Sequence, residues 1–164
     1  MANLVLIGFK SSGKTKIGRY LAKLLKRKFI DTDALLVQKY KMSCFDLMKM
    51  HGEKNFRKKE KWVLSSLNAE NAIIATGGGI VDLKANREIL KKFGKVIFLD
   101  LAKEKIIKRI IRTNQSYLSL RDPSYIDKMY NKRRKYYLSI ADETIELVDK
   151  SKEKIAEEII KNEK

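Results

Sequence analysis

The segment Gly8–Thr15, which reads GFKSSGKT, constrains this chain more than any other feature. It fits the pattern G-x-x-x-x-G-K-[ST], in which glycines allow successive backbone N–H groups to turn toward one centre. The apolar run of residues 3–9 is typical of a strand buried on both faces, and residues 14–27 have the spacing of an amphipathic helix. A strand, a glycine loop and a helix in this order predict a phosphate-binding loop (P-loop) at a helix N-terminus.

Two side chains of this loop suit a nucleoside triphosphate. The Lys14 ammonium can reach the β- and γ-phosphates, and the Thr15 hydroxyl can ligate Mg²⁺. We therefore predict ATP and Mg²⁺ as ligands. The residues expected to bind ATP here are Ser11, Ser12, Gly13, Lys14, Thr15 and Lys16.

Apolar segments alternate with helical patterns along the rest of the chain. We predict further strands at residues 28–30, 72–75, 96–99 and 144–148, with helices between them. This alternation is typical of an α/β fold with a mostly parallel sheet, whose ligands lie at the carboxyl ends of the strands. The length of 164 residues suits one domain over residues 1–164 and leaves little chain for motor or effector elements.

The formal net charge is +17, and it comes from lysines spread through the helical stretches. A solvated basic surface is the simpler interpretation, although such a charge also attracts nucleic acids. No apolar run approaches the roughly 18 residues of a membrane span. We expect a cytoplasmic monomer without a nucleic-acid or membrane partner.

Polar residues follow three of the predicted strands. Asp31 and Asp33 come after the second strand, and residues two apart in an extended segment point the same way. One carboxylate could hold Mg²⁺ through water while the other orients or deprotonates a hydroxyl, although a helix N-cap is an alternative role. Thr76–Gly79 (TGGG) allows a ligand to approach the backbone closely. Asp100, after the fourth strand, is by pattern an alternative Mg²⁺ ligand.

A set of ordered segments between about residues 4 and 145 has a specific resemblance. The segments are GFKSSGKTKIGRYLA, FIDTD, GEKNFRKKE, IIATGGGIV, GKVIFLD, and R-x3-Y-x3-AD at Arg133, Tyr137, Ala141 and Asp142. With them the chain resembles the shikimate kinase family. The resemblance implies a nucleoside-monophosphate-kinase-like fold with strand order 2-3-1-4-5. It also implies phosphorylation of the 3-hydroxyl of shikimate, a step toward chorismate and aromatic amino acids.

The same resemblance implies roles in binding the acceptor. Asp33 would contact the ring hydroxyls and serve as the base, while Arg57 and Arg133 would bind the carboxylate. An arginine fork matches a carboxylate in shape and charge, and Glu60, one helical turn after Arg57, could orient it. The backbone of Gly77, Gly78 and Gly79 would line the pocket. The catalytic residues would be Lys14, Asp33 and Arg57.

Roles at the nucleotide follow from the resemblance as well. Asp31 would support Mg²⁺ through water alongside Thr15, and Arg109 would lie near the adenine. A lid is expected at about residues 112–123. Ser116-Tyr117-Leu118-Ser119 stands where the family usually has Arg-Pro-Leu-Leu, so the lid arginine is missing. Arg112 and Arg121 are candidate substitutes.

Three other functions remain open at this point. A kinase of another small hydroxylated acid, such as gluconate, would share the P-loop. A nucleic-acid-binding P-loop ATPase would account for the net charge. An inactive nucleotide-binding partner would account for the altered lid.

Overall fold

One parallel sheet organises the protein, for which a computed structural model describes residues 2–114 and 116–163. The sheet has five strands in the order β2-β3-β1-β4-β5, and every neighbouring pair is parallel. The strands are β1 (Asn3–Ile7), β2 (Lys28–Asp31), β3 (Ala72–Ala75), β4 (Gly94–Asp100) and β5 (Glu143–Glu146). The α/β class predicted from the residue pattern and the strand order implied by the family resemblance are both confirmed.

Helices connect the strands and flank the sheet. They are α1 (Lys14–Leu25), α2 (Thr32–Tyr40), α3 (Cys44–Ser65), α4 (Lys84–Phe93), α5 (Lys103–Thr113), α6 (Pro123–Ile140) and α7 (Lys152–Glu163). Short 3-10 helices span Ile80–Asp82 and Tyr117–Leu120, the second within the segment predicted to be a lid. None of the described helices is long and apolar enough to cross a membrane.

The central strand β1 explains why the P-loop is held firmly. All five of its residues are buried, and it pairs with β3 on one side and β4 on the other. Helix α1 packs its apolar face, including Ile17 and Leu21, into the same core. The loop between β1 and α1 is therefore held at both ends by buried structure at the carboxyl end of the sheet.

A second, smaller apolar cluster holds α2 against α3. Its buried members are Leu36, Leu47, Met48, Phe56 and Val63. Helix α3 is interrupted at Gly52, whose φ of 74° lies in the left-handed region that glycine adopts without strain. The change of direction allows the second half of α3 to cover the site described next.

Candidate active site

The P-loop joins β1 to α1 through backbone conformations that only some residues adopt easily. Gly13, directly before α1, has a φ of 95°, which is strained for residues with a side chain. The Ser12 amide donates to the Phe9 carbonyl over 3.2 Å, which closes the turn. A helix N-terminus then follows, with the unpaired N–H groups and positive dipole end that favour phosphate.

Lys14 lies across this loop and is largely buried. Its ammonium donates to the Gly8 carbonyl over 2.8 Å and to the Phe9 carbonyl over 2.9 Å. Burial lowers the pKa of Lys14 to about 8, an effect that the negative charge of Asp33 opposes. A positive charge is thus held at the mouth of the loop, where phosphate oxygens would share it.

Thr15 and Asp31 meet beside the loop. The Thr15 hydroxyl donates to Asp31 Oδ2 over 2.7 Å, while Asp31 Oδ1 accepts from the backbone amides of Asp33 and Ala34. Asp31 therefore caps α2 with one oxygen and keeps the other beside Thr15. A hydroxyl and a carboxylate oxygen are ligand types that Mg²⁺ accepts when substrate phosphates and water complete its shell. Among the described residues no group of three or more His, Cys, Asp or Glu side chains could hold a metal without such help.

Asp100, the alternative metal ligand, is engaged elsewhere. Its Oδ2 accepts from Arg134 Nη2 over 2.8 Å, and Tyr130 donates its hydroxyl to Oδ1 over 3.4 Å. This geometry favours Asp31 over Asp100 as the carboxylate beside Thr15.

An open pocket of about 610 Å³, solvent included, adjoins the P-loop. Its wall contains all the residues that the resemblance assigned to the acceptor: Asp33, Arg57, Gly77, Gly78, Gly79 and Arg133. Asp33 and the glycine run lie side by side because they follow the neighbouring strands β2 and β3. Asp31 is in register with Ala75, and the Gly77 amide donates to the Thr32 hydroxyl over 3.1 Å. Residues distant in sequence therefore share one cavity beside the phosphate site.

Arg57 and Glu60 form a buried ion pair on one face of α3. Arg57 Nη1 donates to Glu60 Oε2 over 2.9 Å, as their spacing predicted, and Glu60 is only 2% exposed. Burial raises the pKa of Glu60 to about 7, although the charge of Arg57 opposes the shift. Gly79 lies so close that a Cβ there would overlap the Arg57 guanidinium. The guanidinium is therefore held between a carboxylate and the glycine backbone.

Arg133 is paired with a residue that the sequence reasoning missed. Its Nε donates to Asp82 Oδ1 over 3.1 Å and its Nη2 to Asp82 Oδ2 over 2.8 Å, which makes a two-bond fork. Asp82 Oδ2 also lies 3.6 Å from Arg57 Nη2. The only sequence signal was an acidic residue soon after the glycine run, and nothing local connected it to a residue 51 positions away.

Asp33 lies in the first turn of α2 and faces the glycine run. Burial raises the pKa of Asp33, and the nearby Asp31 raises it further, while Lys10 and Lys14 act in the opposite direction. Lys10 lines the same pocket and was also missed from the sequence. Within the part of the chain that the structure describes, Lys10 forms no salt bridge.

Arg109 contacts the P-loop, and the described part of the predicted lid contributes to the pocket wall. Arg109 Nη1 donates to the Ser11 carbonyl over 2.9 Å, so α5 contacts the P-loop. Ser116 is buried and accepts from the Leu118 amide over 3.1 Å, which begins the second 3-10 helix.

The structure does not single out either candidate substitute for the missing lid arginine. Arg121 contacts the Tyr117 hydroxyl and lies over its ring, while Arg112 is exposed. The lid predicted at residues 112–123 includes Gln115, which lies outside the described residues. Within the described part, Tyr117 and Leu118 add an aromatic and an apolar wall to the pocket.

Comparisons with known proteins agree with this geometry. The sequence model of the shikimate kinase family matches residues 10–164. Shikimate kinase of Enterococcus faecalis is 38% identical over 163 residues, which cover 98% of this chain and 97% of that protein. The structure of a shikimate kinase from Acinetobacter baumannii in complex with shikimate matches with a TM-score of 0.91 at 32% identity, covering 99% of this chain and 92% of that one. The Aquifex aeolicus shikimate kinase matches with a TM-score of 0.83 at 30% identity, over 98% and 94% of the two chains.

Proposed function

Because the chain belongs to the shikimate kinase family, we propose that it transfers the γ-phosphate of ATP to the 3-hydroxyl of shikimate. The products are shikimate 3-phosphate and ADP, on the route to chorismate and the aromatic amino acids. One observation carries the assignment to this pocket. A P-loop and a cavity lined by two buried arginines and an aspartate adjoin each other at the carboxyl end of one sheet.

The acceptor is bound by charge and hydroxyl recognition together. Arg57 and Arg133 bind the carboxylate of shikimate, since guanidinium groups match a carboxylate in shape and charge. Asp33 accepts hydrogen bonds from ring hydroxyls and takes the proton from the attacking one, a role that its raised pKa favours. The backbone of Gly77–Gly79 allows the ring to lie close to the strand ends. Aiming the acceptor in this way is the main contribution, because phosphoryl transfer gains most from positioning and charge neutralisation.

The nucleotide is bound by Ser11–Lys16, with Lys14 neutralising charge on the β- and γ-phosphates. Thr15 would hold Mg²⁺ directly and Asp31 would support it through water, and the ion would neutralise charge on the phosphates. Arg109 lies beside the adenine. Its hydrogen bond to the Ser11 carbonyl of the P-loop supports this position.

The segment at residues 112–123 acts as a lid that excludes water and limits wasteful hydrolysis. We propose that the enzyme works as a monomer, since the P-loop and the pocket adjoin each other within one chain. We place the reaction in the cytoplasm, since it consumes ATP.

The test is ADP release from ATP and Mg²⁺ with and without shikimate, using gluconate as the control acceptor. We expect strong stimulation by shikimate and little by gluconate. Stimulation by gluconate alone would reassign the acceptor, and stimulation by RNA or DNA with a steep salt dependence would indicate a nucleic-acid ATPase. ATP binding without turnover would indicate an inactive partner.

A further inference from the structure

Asp82 is bonded to the guanidinium groups that the proposed function assigns to the acceptor's carboxylate. It accepts two hydrogen bonds from Arg133, at 3.1 and 2.8 Å, and lies 3.6 Å from Arg57 Nη2. We propose that Asp82 is the resident counter-ion of this carboxylate site, exchanged for the carboxylate of the incoming acceptor. The inference rests on the proposed function and names the specificity-determining residue of its acceptor pocket.

Burial explains why the two arginines need a counter-ion. The side chains of Arg133 and Arg57 are 4% and 11% exposed, so their charges are costly unless a carboxylate balances them. Glu60 and Glu53 lie 2.9 and 3.7 Å from the Arg57 guanidinium and balance it, which leaves Asp82 as the partner of Arg133 in the described structure. The Asp82 side chain is 19% exposed, more than its partners, and so has access to water when it leaves the fork.

The donor geometry makes the two carboxylates competitors. Asp82 occupies the Nε and Nη2 donors of Arg133, one of the two edges at which a guanidinium makes a two-bond contact with a carboxylate. The Nη2 group belongs to the other edge as well, so a second carboxylate there would share it with Asp82. Arg57 Nε is buried without a hydrogen-bond partner among the described residues, which leaves a donor for an acceptor oxygen. An acceptor with a carboxylate can bind the guanidinium groups of both Arg133 and Arg57 once Asp82 has moved. An uncharged analogue gains nothing by displacing it.

As a consequence, the acceptor's carboxylate must displace Asp82, and it binds less tightly than it would bind unpaired arginines. While Asp82 remains in the fork, small inorganic anions meet a neutralised Arg133 instead of an unpaired guanidinium group. Removing its charge should therefore strengthen the binding of acids in general and leave uncharged analogues unaffected.

The experiment compares the wild-type protein with Asp82→Asn, which keeps the size of the side chain and removes its charge. Dissociation constants are measured by titration calorimetry for shikimate and for its methyl ester, and inhibition of turnover by sulfate is measured in parallel. We expect shikimate to bind about fivefold more tightly to the variant, with stronger sulfate inhibition and unchanged ester binding. Glu143→Gln is the matched control, because Glu143 is 12% exposed and paired with Lys95 over 2.7 Å.

The possible outcomes separate this inference from the proposed function. Equal or weaker shikimate binding by Asp82→Asn would overturn the inference, because Asp82 would then only orient Arg133. Equal changes for acid and ester would overturn it as well, since they would indicate a general change of the pocket. Absence of shikimate-dependent turnover in the wild-type enzyme would instead refute the proposed function. If Asp82→Asn does not fold, Asp82→Ser removes the same charge and has the same expected result.

Discussion

Replacing Gly79 with alanine isolates the contact that holds Arg57. The backbone of Gly79, with φ −90° and ψ 4°, is accessible to alanine, so the change adds volume without backbone strain. The added Cβ would overlap the Arg57 guanidinium, which must therefore move. We expect Gly79→Ala to weaken shikimate binding without affecting ATP.

The size of the effect follows from the bonds that Arg57 makes. A hydrogen bond to a charged group contributes about 1.5–3 kcal/mol, and each 1.4 kcal/mol changes an equilibrium constant about tenfold. Displacing the guanidinium from one such bond to the acceptor should raise the KM for shikimate by about ten- to a hundredfold. Glu60, which is 2% exposed, would also lose its 2.9 Å partner. The free energy of unfolding should therefore fall by about 1–3 kcal/mol.

The assay is steady-state ADP release with each substrate varied in turn, together with thermal unfolding. Arg57→Ala gives the upper limit of the effect. Gly77→Ala is the comparison variant, because a Cβ at Gly77 would lie 2.6 Å from Asp33 Oδ1 and 3.0 Å from Glu60 Oε1, and not against Arg57 itself. We expect this variant to lower kcat more than it raises the KM for shikimate. A folded Gly79→Ala enzyme whose KM for shikimate stays within about twofold of wild type would refute the reasoning.

Three further predictions concern the phosphate site and the buried acid. Lys14→Ala should lower kcat by about 10²–10³-fold, and near-normal turnover would exclude its assigned role. Asp31→Asn should raise the Mg²⁺ concentration needed for half-maximal rate more than Asp100→Asn does, and the reverse order would transfer the metal role to Asp100. Folding raises the pKa of Glu60 from 4.5 to about 7, so its contribution to stability is complete below pH 4.5 and is lost as pH rises through about 7. The free energy of unfolding of wild type relative to Glu60→Gln should decline over that interval, and a flat difference would contradict the shift.

Much of this site was predictable because its signals are local. The P-loop pattern lies within eight consecutive residues, and β1 and α1 on either side have unmistakable apolar spacing. Arg57 and Glu60 are one helical turn apart, and the structure pairs them over 2.9 Å as expected. The residues assigned to the acceptor pocket through the family resemblance all line one cavity, although their individual roles stay predictions.

Other features were less visible because their signals are weak or not local. The 3-10 helix Tyr117–Leu120 lies in the predicted lid but was not itself predicted, since a single short turn leaves little periodicity. Lys10 lies within the P-loop pattern at a position that the pattern leaves unspecified, so its place on the acceptor wall could not be inferred from spacing.

The sequence by itself determined the alternation of strands and helices, the P-loop and the set of polar residues at the strand ends, because each depends on neighbours a few positions away. Only the tertiary structure decided which charges meet. Asp82 reaches Arg133 across 51 positions because the glycine run after β3 and the buried face of α6 pack together. Asp100, at the end of β4, pairs with Arg134 of α6 rather than with Thr15, because these two elements pack together as well. Pairing over such separations depends on how whole elements pack, and no local pattern of residues encodes it.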